Sequence, residues 1–206
     1  MNNTKAKLIF FTVTFVILNL TTQAQDFGAG AIAGLNFAQV DGDQFGGYNK
    51  LGFNLGMFVN RKLNEHWYAK GELLFSQKGS KKKLDPDDPA PQIFILKFTY
   101  LEMPLIVSYK KRNVSFELGP SIGVNIRAKN ETNLGVQDEK GINRTELALN
   151  LGINYRFTET WSFNLRHSNS LLRIGNPYVG GIYLFSRNGL YNRLFTTTVR
   201  YTFNRE

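Results

Sequence analysis

Apolar and polar residues alternate along most of this chain with a period of two. The clearest case is the segment 100–127, which contains two long alternating arms joined by a short polar turn. In the first arm, Leu101, Met103 and Leu105 share one face, and Glu102 lies on the other. Alternate side chains of a strand point to opposite faces. Arms of this length with one apolar face predict a membrane-spanning β-hairpin.

Eight such alternating segments follow one another. They cover residues 27–37, 51–60, 67–76, 94–109, 114–127, 146–156, 161–168 and 195–203. The connections between them alternate between long and short. The long ones are predicted at 41–49, 78–92, 128–143 and 175–192, and the other three are short turns. Outer-membrane barrels have long extracellular loops and short periplasmic turns, so this asymmetry favours a barrel of that kind.

Aromatic residues on the apolar face gather where the predicted strands meet the short turns. This set is Trp67, Tyr109, Tyr155, Phe157, Trp161, Tyr201 and Phe203. Trp and Tyr concentrate at membrane–water interfaces, so we interpret the set as an interfacial aromatic girdle. A second girdle is predicted near the long loops, from Phe37, Phe53, Phe75 and Phe195.

The predicted fold class is all-β, an eight-stranded antiparallel up-and-down transmembrane β-barrel with an OmpA/OmpX-like architecture. A soluble lipocalin-like barrel also has eight up-and-down strands, but its apolar face points inward around a ligand. In this chain the polar face is rich in Gly, Ser and Asn, which are small enough to fill a narrow lumen. The apolar face is bulky and fits the outer surface better.

Composition adds a location to this fold. Residues 1–24 contain Lys5 and Lys7, an apolar run and a small-residue site ending at Ala24, which predicts a cleaved secretory signal peptide. The run is short for a spanning helix, and an uncleaved anchor is the alternative. Cleavage lowers the net charge from +9 to +7 and leaves residues 25–206 as the barrel domain. The chain has no Cys, which excludes disulfides, thiolate metal sites and thiol nucleophiles.

Charged residues on the predicted inner face form the main candidate site. They are Lys70, Glu72, Glu102, Glu117, Arg127, Glu146, Arg156, Arg166 and Arg200. Unpaired charges in a narrow lumen cost several kcal/mol each, so we expect these residues to pair. Eight strands normally enclose an interior that side chains just fill, which favours a structural salt-bridge plug. A polar pore or a lumenal ligand site is the alternative.

Other candidate chemistry is weaker. His167 precedes Ser168, but neighbours in a strand face opposite sides, so this pair cannot form the base and nucleophile of an esterase. The acidic loops at 41–43 and 85–88 lack EF-hand spacing, and no metal site is predicted. A lysine cluster, Lys78 with 81–83, is predicted to lie in a solvated loop, with contact to lipid phosphates as an alternative. Basic residues are scattered, which disfavours nucleic-acid binding.

Two prolines inside the central hairpin bear on its regularity. Pro104 and Pro120 each remove a donor from the strand ladder, so we predict bulges or kinks there.

Four short motifs resemble the PorT-like outer-membrane β-barrel family. They are Gly34-Leu35-Asn36-Phe37, Glu72-Leu73-Leu74-Phe75-Ser76-Gln77-Lys78-Gly79, Tyr100-Leu101-Glu102-Met103-Pro104-Leu105 and Leu118-Gly119-Pro120. The resemblance covers nearly all the chain after the signal segment, in the same order. It implies an eight-stranded outer-membrane barrel. One branch of that family takes part in type IX secretion and gliding, and the family implies no catalytic residues.

We therefore predict an outer-membrane protein of a Gram-negative bacterium with a structural or interaction role, no enzymatic activity and no cofactor. The predicted partners are outer-membrane lipids, the barrel-assembly machinery and periplasmic chaperones during biogenesis, and another envelope protein. The alternatives are an accessory subunit of a type IX secretion apparatus, a narrow pore and a barrel enzyme acting on lipids.

Overall fold

A computed structural model of the chain describes residues 27–83, 92–176 and 189–203. Within these ranges every regular element is a β-strand. The strands are β1 Phe27–Asp41, β2 Lys50–Lys62, β3 Trp67–Lys81, β4 Phe94–Lys111, β5 Val114–Thr132, β6 Gly135–Asp138, β7 Thr145–Arg156, β8 Trp161–Ser170 and β9 Tyr191–Thr202. None of the described residues forms a helix long and apolar enough to cross a membrane.

Eight of these strands close into an antiparallel barrel, as the sequence predicted. Each strand pairs with the next in the chain, except that β5 pairs with β7, and β1 pairs with β9 to close the ring. The short strand β6 lies outside the ring and pairs with the far end of β5. We call the end that carries the β1–β2, β3–β4, β5–β7 and β8–β9 connections the long-loop end, and the opposite end the short-turn end.

The faces of the strands follow the predicted alternation. In β2, for example, Leu51, Phe53, Leu55 and Met57 are exposed, whereas Asn54 is buried. On β3 the outward apolar set runs from Trp67 to Phe75, which is nine residues, and Gln77 comes next. A tilted transmembrane strand needs about 9–11 residues. The apolar outer surface is therefore tall enough to span a bilayer core.

Two predicted loop boundaries were wrong. The loop predicted at 78–92 begins later, because β3 continues to Lys81, and the loop predicted at 128–143 contains the end of β5 and all of β6. These extensions carry mainly polar outward residues such as Lys81, Lys129 and Glu131. An apolar outer face marks only the membrane-embedded part of a strand. The strand ends beyond it therefore resembled loops in the sequence.

One bulge changes which way a predicted lumenal residue faces. Tyr100 of β4 pairs with Asn125 of β5, but the preceding Thr99 pairs with Arg127, so Ile126 is an extra, unpaired residue. A bulge of this kind places two residues of one strand opposite one of its neighbour. Ile126 and Arg127 are consequently both exposed, and Arg127 faces outward. The prediction that Arg127 belongs to the lumenal network was wrong.

The prolines do not cause that bulge. Pro104 pairs with Ser121, and Val107 pairs with Leu118 in the same register, so the strands stay aligned across the interruption between them. Gly119 lies in this interruption, and a Cβ atom there would be 1.9 Å from the carbonyl oxygen of Leu105. The structure therefore has no bulge at either proline. It has a short gap in the β4–β5 pairing, where the backbones of Gly119 and Leu105 come close together.

Several predictions concern residues outside the described ranges. These are the signal peptide 1–24, the acidic segment 85–88 and most of the loop predicted at 175–192. They remain predictions.

Candidate functional site

The centre of the lumen holds a cluster of three cations and two carboxylates, which we call the central cluster. Its members are Lys70, Glu72, Glu117, Arg166 and Arg200, all with side chains at least nine-tenths buried. Arg166 binds both Glu72 oxygens, with Nη1–Oε2 at 2.6 Å and Nη2–Oε1 at 2.8 Å. This two-bond geometry is the strongest arrangement of an arginine with a carboxylate.

Glu117 connects the rest of the central cluster. Its Oε1 is 2.6 Å from Lys70 Nζ and 3.1 Å from Arg200 Nη1. Its Oε2 accepts hydrogen bonds from Arg166 Nη2 at 2.9 Å and from Asn164 Nδ2 at 3.0 Å. Four donors from three strands, β3, β8 and β9, therefore converge on one carboxylate. Such multiple pairing is what stabilises ionised groups at a site that excludes water.

A second cluster lies nearer the long-loop end, and we call it the upper cluster. Lys78 is paired with both Glu102 and Glu146, and its Nζ–Glu146 Oε2 distance is 2.9 Å. Its ammonium also lies 4.9 Å from the centre of the Tyr100 ring, within the range of a cation–π contact. Asn192 Nδ2 donates to Glu146 Oε2 at 3.2 Å.

The two clusters balance each other in charge. The central cluster has one cation in excess and the upper cluster one carboxylate in excess, so the eight groups together are neutral. Sequence reasoning missed Lys78 because it was assigned to a loop. It also placed Arg156 with the others, whereas Arg156 is only half-buried, at the end of β7. Lys78 continues the inward alternation of Glu72, Leu74 and Ser76, and that continuation was the available signal.

Above the upper cluster the lumen becomes apolar. Six almost completely buried residues pack together, and we call them the apolar cap: Val40, Leu96, Phe98, Tyr100, Ile174 and Leu190. Ile174 and Leu190 come from the connection between β8 and β9. Gly175 of this connection forms isolated β-bridges with Leu190 and with Ile142. The predicted loop 175–192 includes Leu190, and Ile174 directly precedes it. The predicted loop contains several other apolar residues, so composition did not single out these two as inward-facing.

The short-turn end of the lumen is polar and partly open. A cavity of about 50 Å³ lies there, which is room for a few water molecules. Its lining includes Tyr68, Lys70, Lys110, Arg156, Glu159 and Arg200. Lys110 Nζ lies 5.4 Å from the centre of the Tyr68 ring. Arg156 is therefore a residue of this mouth and not of the central cluster.

The residues predicted to form a girdle lie around the outside of the short-turn end. Trp67 contacts Tyr109 with ring centres 5.1 Å apart, and Trp161 contacts Tyr201 at 4.9 Å. Phe203 lies 5.8 Å from Tyr201. Tyr155 and Phe157 are both about half exposed. Phe37, Phe53, Phe75 and Phe195, near the other end, are exposed on the outer wall.

The structure places His167 and Ser168 on opposite faces of β8. The His167 ring contacts Phe195, with centres 4.7 Å apart, whereas Ser168 is buried in the lumen. The two side chains therefore do not form a nucleophile–base pair. Within the described ranges, no three His, Asp or Glu side chains are grouped as a metal site would require.

In the β1–β2 loop, Asp43 folds inward and accepts a hydrogen bond from the backbone N–H of Phe45 at 2.8 Å. Burial raises the pKa of the Asp43 carboxyl above its usual range. The arrangement stabilises the turn of the loop and accounts for Asp43 without a metal ion. Its neighbour Asp41 pairs instead with Arg193, at 2.7 Å between Oδ2 and Nη2.

Comparison with known proteins agrees with this geometry. The family model described as "Outer membrane protein beta-barrel domain" matches residues 23–174. Ail, the attachment invasion locus protein of Yersinia pestis, is 16% identical over 87% of this chain and 100% of its own, with a TM-score of 0.53. The structure of Ail in complex with the heparin analogue sucrose octasulfate matches with 14% sequence identity and a TM-score of 0.51.

Neisserial surface protein A is 17% identical over 86% of this chain and 97% of its own, with a TM-score of 0.51. At these identities the likeness concerns the fold. No curated protein matches the sequence.

Proposed function

Since this chain belongs to the outer membrane protein β-barrel domain family and lies in the outer membrane of a Gram-negative bacterium, we propose that it is a non-conducting barrel that acts by binding at its extracellular end. The long-loop end is then extracellular and the short-turn end periplasmic. In this proposal the lumen is structural, and the outer rim and loops carry the function.

The observation that carries the proposal is the filling of the lumen. Going from the periplasmic to the extracellular end, a small polar mouth is followed by the central cluster, the upper cluster and the apolar cap. Each of the eight buried charges has at least one partner of opposite sign. An ion entering this path has to displace paired side chains and then cross a packed apolar layer, which opposes conduction.

A binding role is supported by how far the strands continue beyond the apolar wall. β4, β5 and β6 form a three-stranded extension at the extracellular end. At its tip Leu134 is 90% exposed, and Val136 is 53% exposed. Isolated exposed apolar residues are ordinary, but a paired strand extension that presents them outside the membrane is a suitable surface for a partner.

Conductance tests the closed lumen. The full chain, purified from outer membranes, is inserted into planar bilayers beside Glu102→Ala and the matched control Glu131→Ala, whose carboxylate lies outside the lumen. We expect no stable ion steps from the wild type, because every layer of the lumen is occupied. Steps in the wild type that change with Glu102→Ala and not with Glu131→Ala would show a water-filled path and refute the proposal.

We do not extend the proposal to a type IX secretion subunit. The motifs that carry the resemblance to the wider PorT-like family include Asn36, Glu72, Ser76, Lys78 and Glu102, and these five side chains point into the lumen. Asn36 Nδ2, for example, donates to Ser76 Oγ at 3.0 Å. These contacts explain how the barrel is built, and a partner protein outside the barrel cannot touch them.

We likewise do not propose an enzyme acting on lipids. The outer wall presents His167 against Phe195, and Ser168 on the same strand faces inward. A lipid hydrolase of the serine type needs these groups within hydrogen-bond reach of each other and of a lipid at the rim. The binding role therefore has the better support.

A further inference from the structure

A basic groove crosses the outer wall of the barrel near its extracellular end. It lies over β3, β4 and β5, reaches Lys50 of β2 and Val136 of β6, and has a volume of about 290 Å³. Its polar lining includes Lys50, Gln77, Lys97, Thr99, Arg127 and Lys129. Val136 of β6 borders the groove, and Lys78 and Phe98, whose side chains are buried in the lumen, also line it.

The depth of the groove places it at the lipid headgroups. Phe75 pairs with Leu101, and both are outward apolar residues of the wall. The next outward pair is Gln77 with Thr99, and Thr99 pairs in turn with Arg127. The groove therefore begins one outward position above the apolar wall. At this level the hydrocarbon core ends and the charged headgroups of the outer leaflet begin.

The bulge at Ile126 makes the groove basic. If Ile126 were paired in a regular ladder, Arg127 would follow the inward series of Gly123 and Asn125, as the sequence predicted. The bulge turns Arg127 outward beside Lys129, whose neighbour across the ladder is Lys97. A bulge that redirects a side chain beside a candidate site fits the usual placement of bulges near functional positions.

The charges of the groove are only partly neutralised. Lys97 is paired with Glu131. Lys50 Nζ donates to the carbonyl oxygen of Leu51 at 2.7 Å. Arg127 and Lys129 have no hydrogen-bond or ion-pair partner among the residues that the structure describes. Asp138 lies across the ladder from Lys129, so four cations against two carboxylates, Glu131 and Asp138, leave a net charge of +2. Like charges held this close favour an anionic occupant.

We propose that this groove binds the phosphate group of a phosphorylated glycolipid of the outer leaflet. The planar guanidinium of Arg127 offers two parallel N–H bonds to phosphate oxygens, and Lys129, Lys97 and Lys50 add positive charge around them. The acyl chains of the same lipid lie against the apolar wall below, at Leu101 and Phe75. Lipid phosphate complements both the charge of the groove and its depth.

The test uses the full chain purified from outer membranes in detergent and a fluorescent bis-phosphorylated lipid A as probe. The variants are Arg127→Gln with Lys129→Gln and, as a control with the same charge loss, Lys62→Gln with Lys111→Gln at the periplasmic end. We expect the groove variant to weaken binding about 25-fold, at roughly fivefold for each basic residue near an anionic surface. The control should stay within about twofold.

Two further arms identify the ligand. Dephosphorylated lipid A should bind far more weakly than the probe, and millimolar inorganic phosphate should leave most of the probe bound, because it lacks the acyl contacts. Equal binding of the dephosphorylated lipid, or an unchanged affinity in the groove variant, would overturn the proposal. Complete displacement by inorganic phosphate would overturn the lipid as the source of the phosphate.

Folding of each variant is verified by its heat-dependent migration in gels. Arg127→Gln alone provides the comparison if the double variant does not assemble, and a loss of about fivefold is expected for it. This test is independent of the closed lumen, because a conducting barrel can still bind a lipid on its wall.

Discussion

At the residue scale, Lys78 shows how a single side chain sets the interior of the barrel. Its ammonium is shared between Glu102 and Glu146, and it is 1% exposed. Removing one partner of a buried ion pair leaves the other charge uncompensated, which is costly, whereas surface pairs contribute little. The neutrality of the two clusters therefore depends on Lys78 as much as on the arginines of the central cluster.

Replacing Lys78 by Met should lower the free energy of unfolding by about 3–5 kcal/mol, because two buried carboxylates lose their cation. Lys81→Met is the matched control on the same strand. Lys81 is exposed, so its replacement should change stability by no more than about 0.5 kcal/mol. Urea unfolding of the two variants in lipid vesicles measures the difference. Similar midpoints for the two variants would contradict the role assigned to the upper cluster.

At the element scale, β5 combines a regular lower half with a bulged upper half. Below the bulge, Glu117 and Ser121 face the lumen in strict alternation. Above it, the extra residue Ile126 resets the alternation, so that Ala128 packs beneath the apolar cap and Arg127 joins the basic groove. A change of one residue in strand register moves every later side chain to the other face.

Deleting Ile126 should therefore be tolerated, because the pairs of Tyr100 with Asn125 and of Thr99 with Arg127 remain and the ladder becomes regular. Deleting Leu118 should prevent assembly, because it either turns Glu117 out of the lumen or inverts the segment that follows. Heat-dependent gel migration and recovery in the outer membrane are the readouts. Failure of both deletions to the same extent would show that the bulge is not an isolated insertion.

At the scale of the whole molecule, the apolar wall and the uneven connections fix how the barrel lies in the membrane. The wall is bordered by the aromatic girdle at the short-turn end and by the basic groove at the other end. Among the described residues, the longer strand extensions beyond the wall lie on the long-loop side. A barrel with this asymmetry is oriented with its long connections outside the cell.

Single cysteines test this orientation, since the chain has none of its own. Leu134→Cys, at the tip of the β5–β6 turn, should react with a membrane-impermeant maleimide on intact cells. Asn113→Cys, in the exposed β4–β5 turn, should react only after the outer membrane is permeabilised. Labelling of Asn113→Cys on intact cells would reverse the assignment of the two ends.

The sequence by itself determined the strand number, the closed antiparallel fold and the assignment of most side chains to the lumen or the wall. The reason is that a membrane-spanning strand must alternate apolar outward and polar inward residues over its whole embedded length. Glu72, Glu117, Arg166 and Arg200 were assigned correctly to the inside by that alternation alone. The resemblance carried by the four motifs independently implied an eight-stranded outer-membrane barrel.

The tertiary structure decided everything that depends on register beyond the apolar wall. The bulge at Ile126 depends on how β4 and β5 align, and no residue type in the sequence indicates it. Arg127 was therefore assigned to the lumen although it faces outward. Lys78 points into the lumen because β3 continues beyond the apolar wall. The outward residues there are polar, so the sequence pattern did not show that the strand continues. Ile174 and Leu190 became part of the apolar cap through packing across the barrel. Local alternation cannot supply these contacts, because they join residues far apart in the chain.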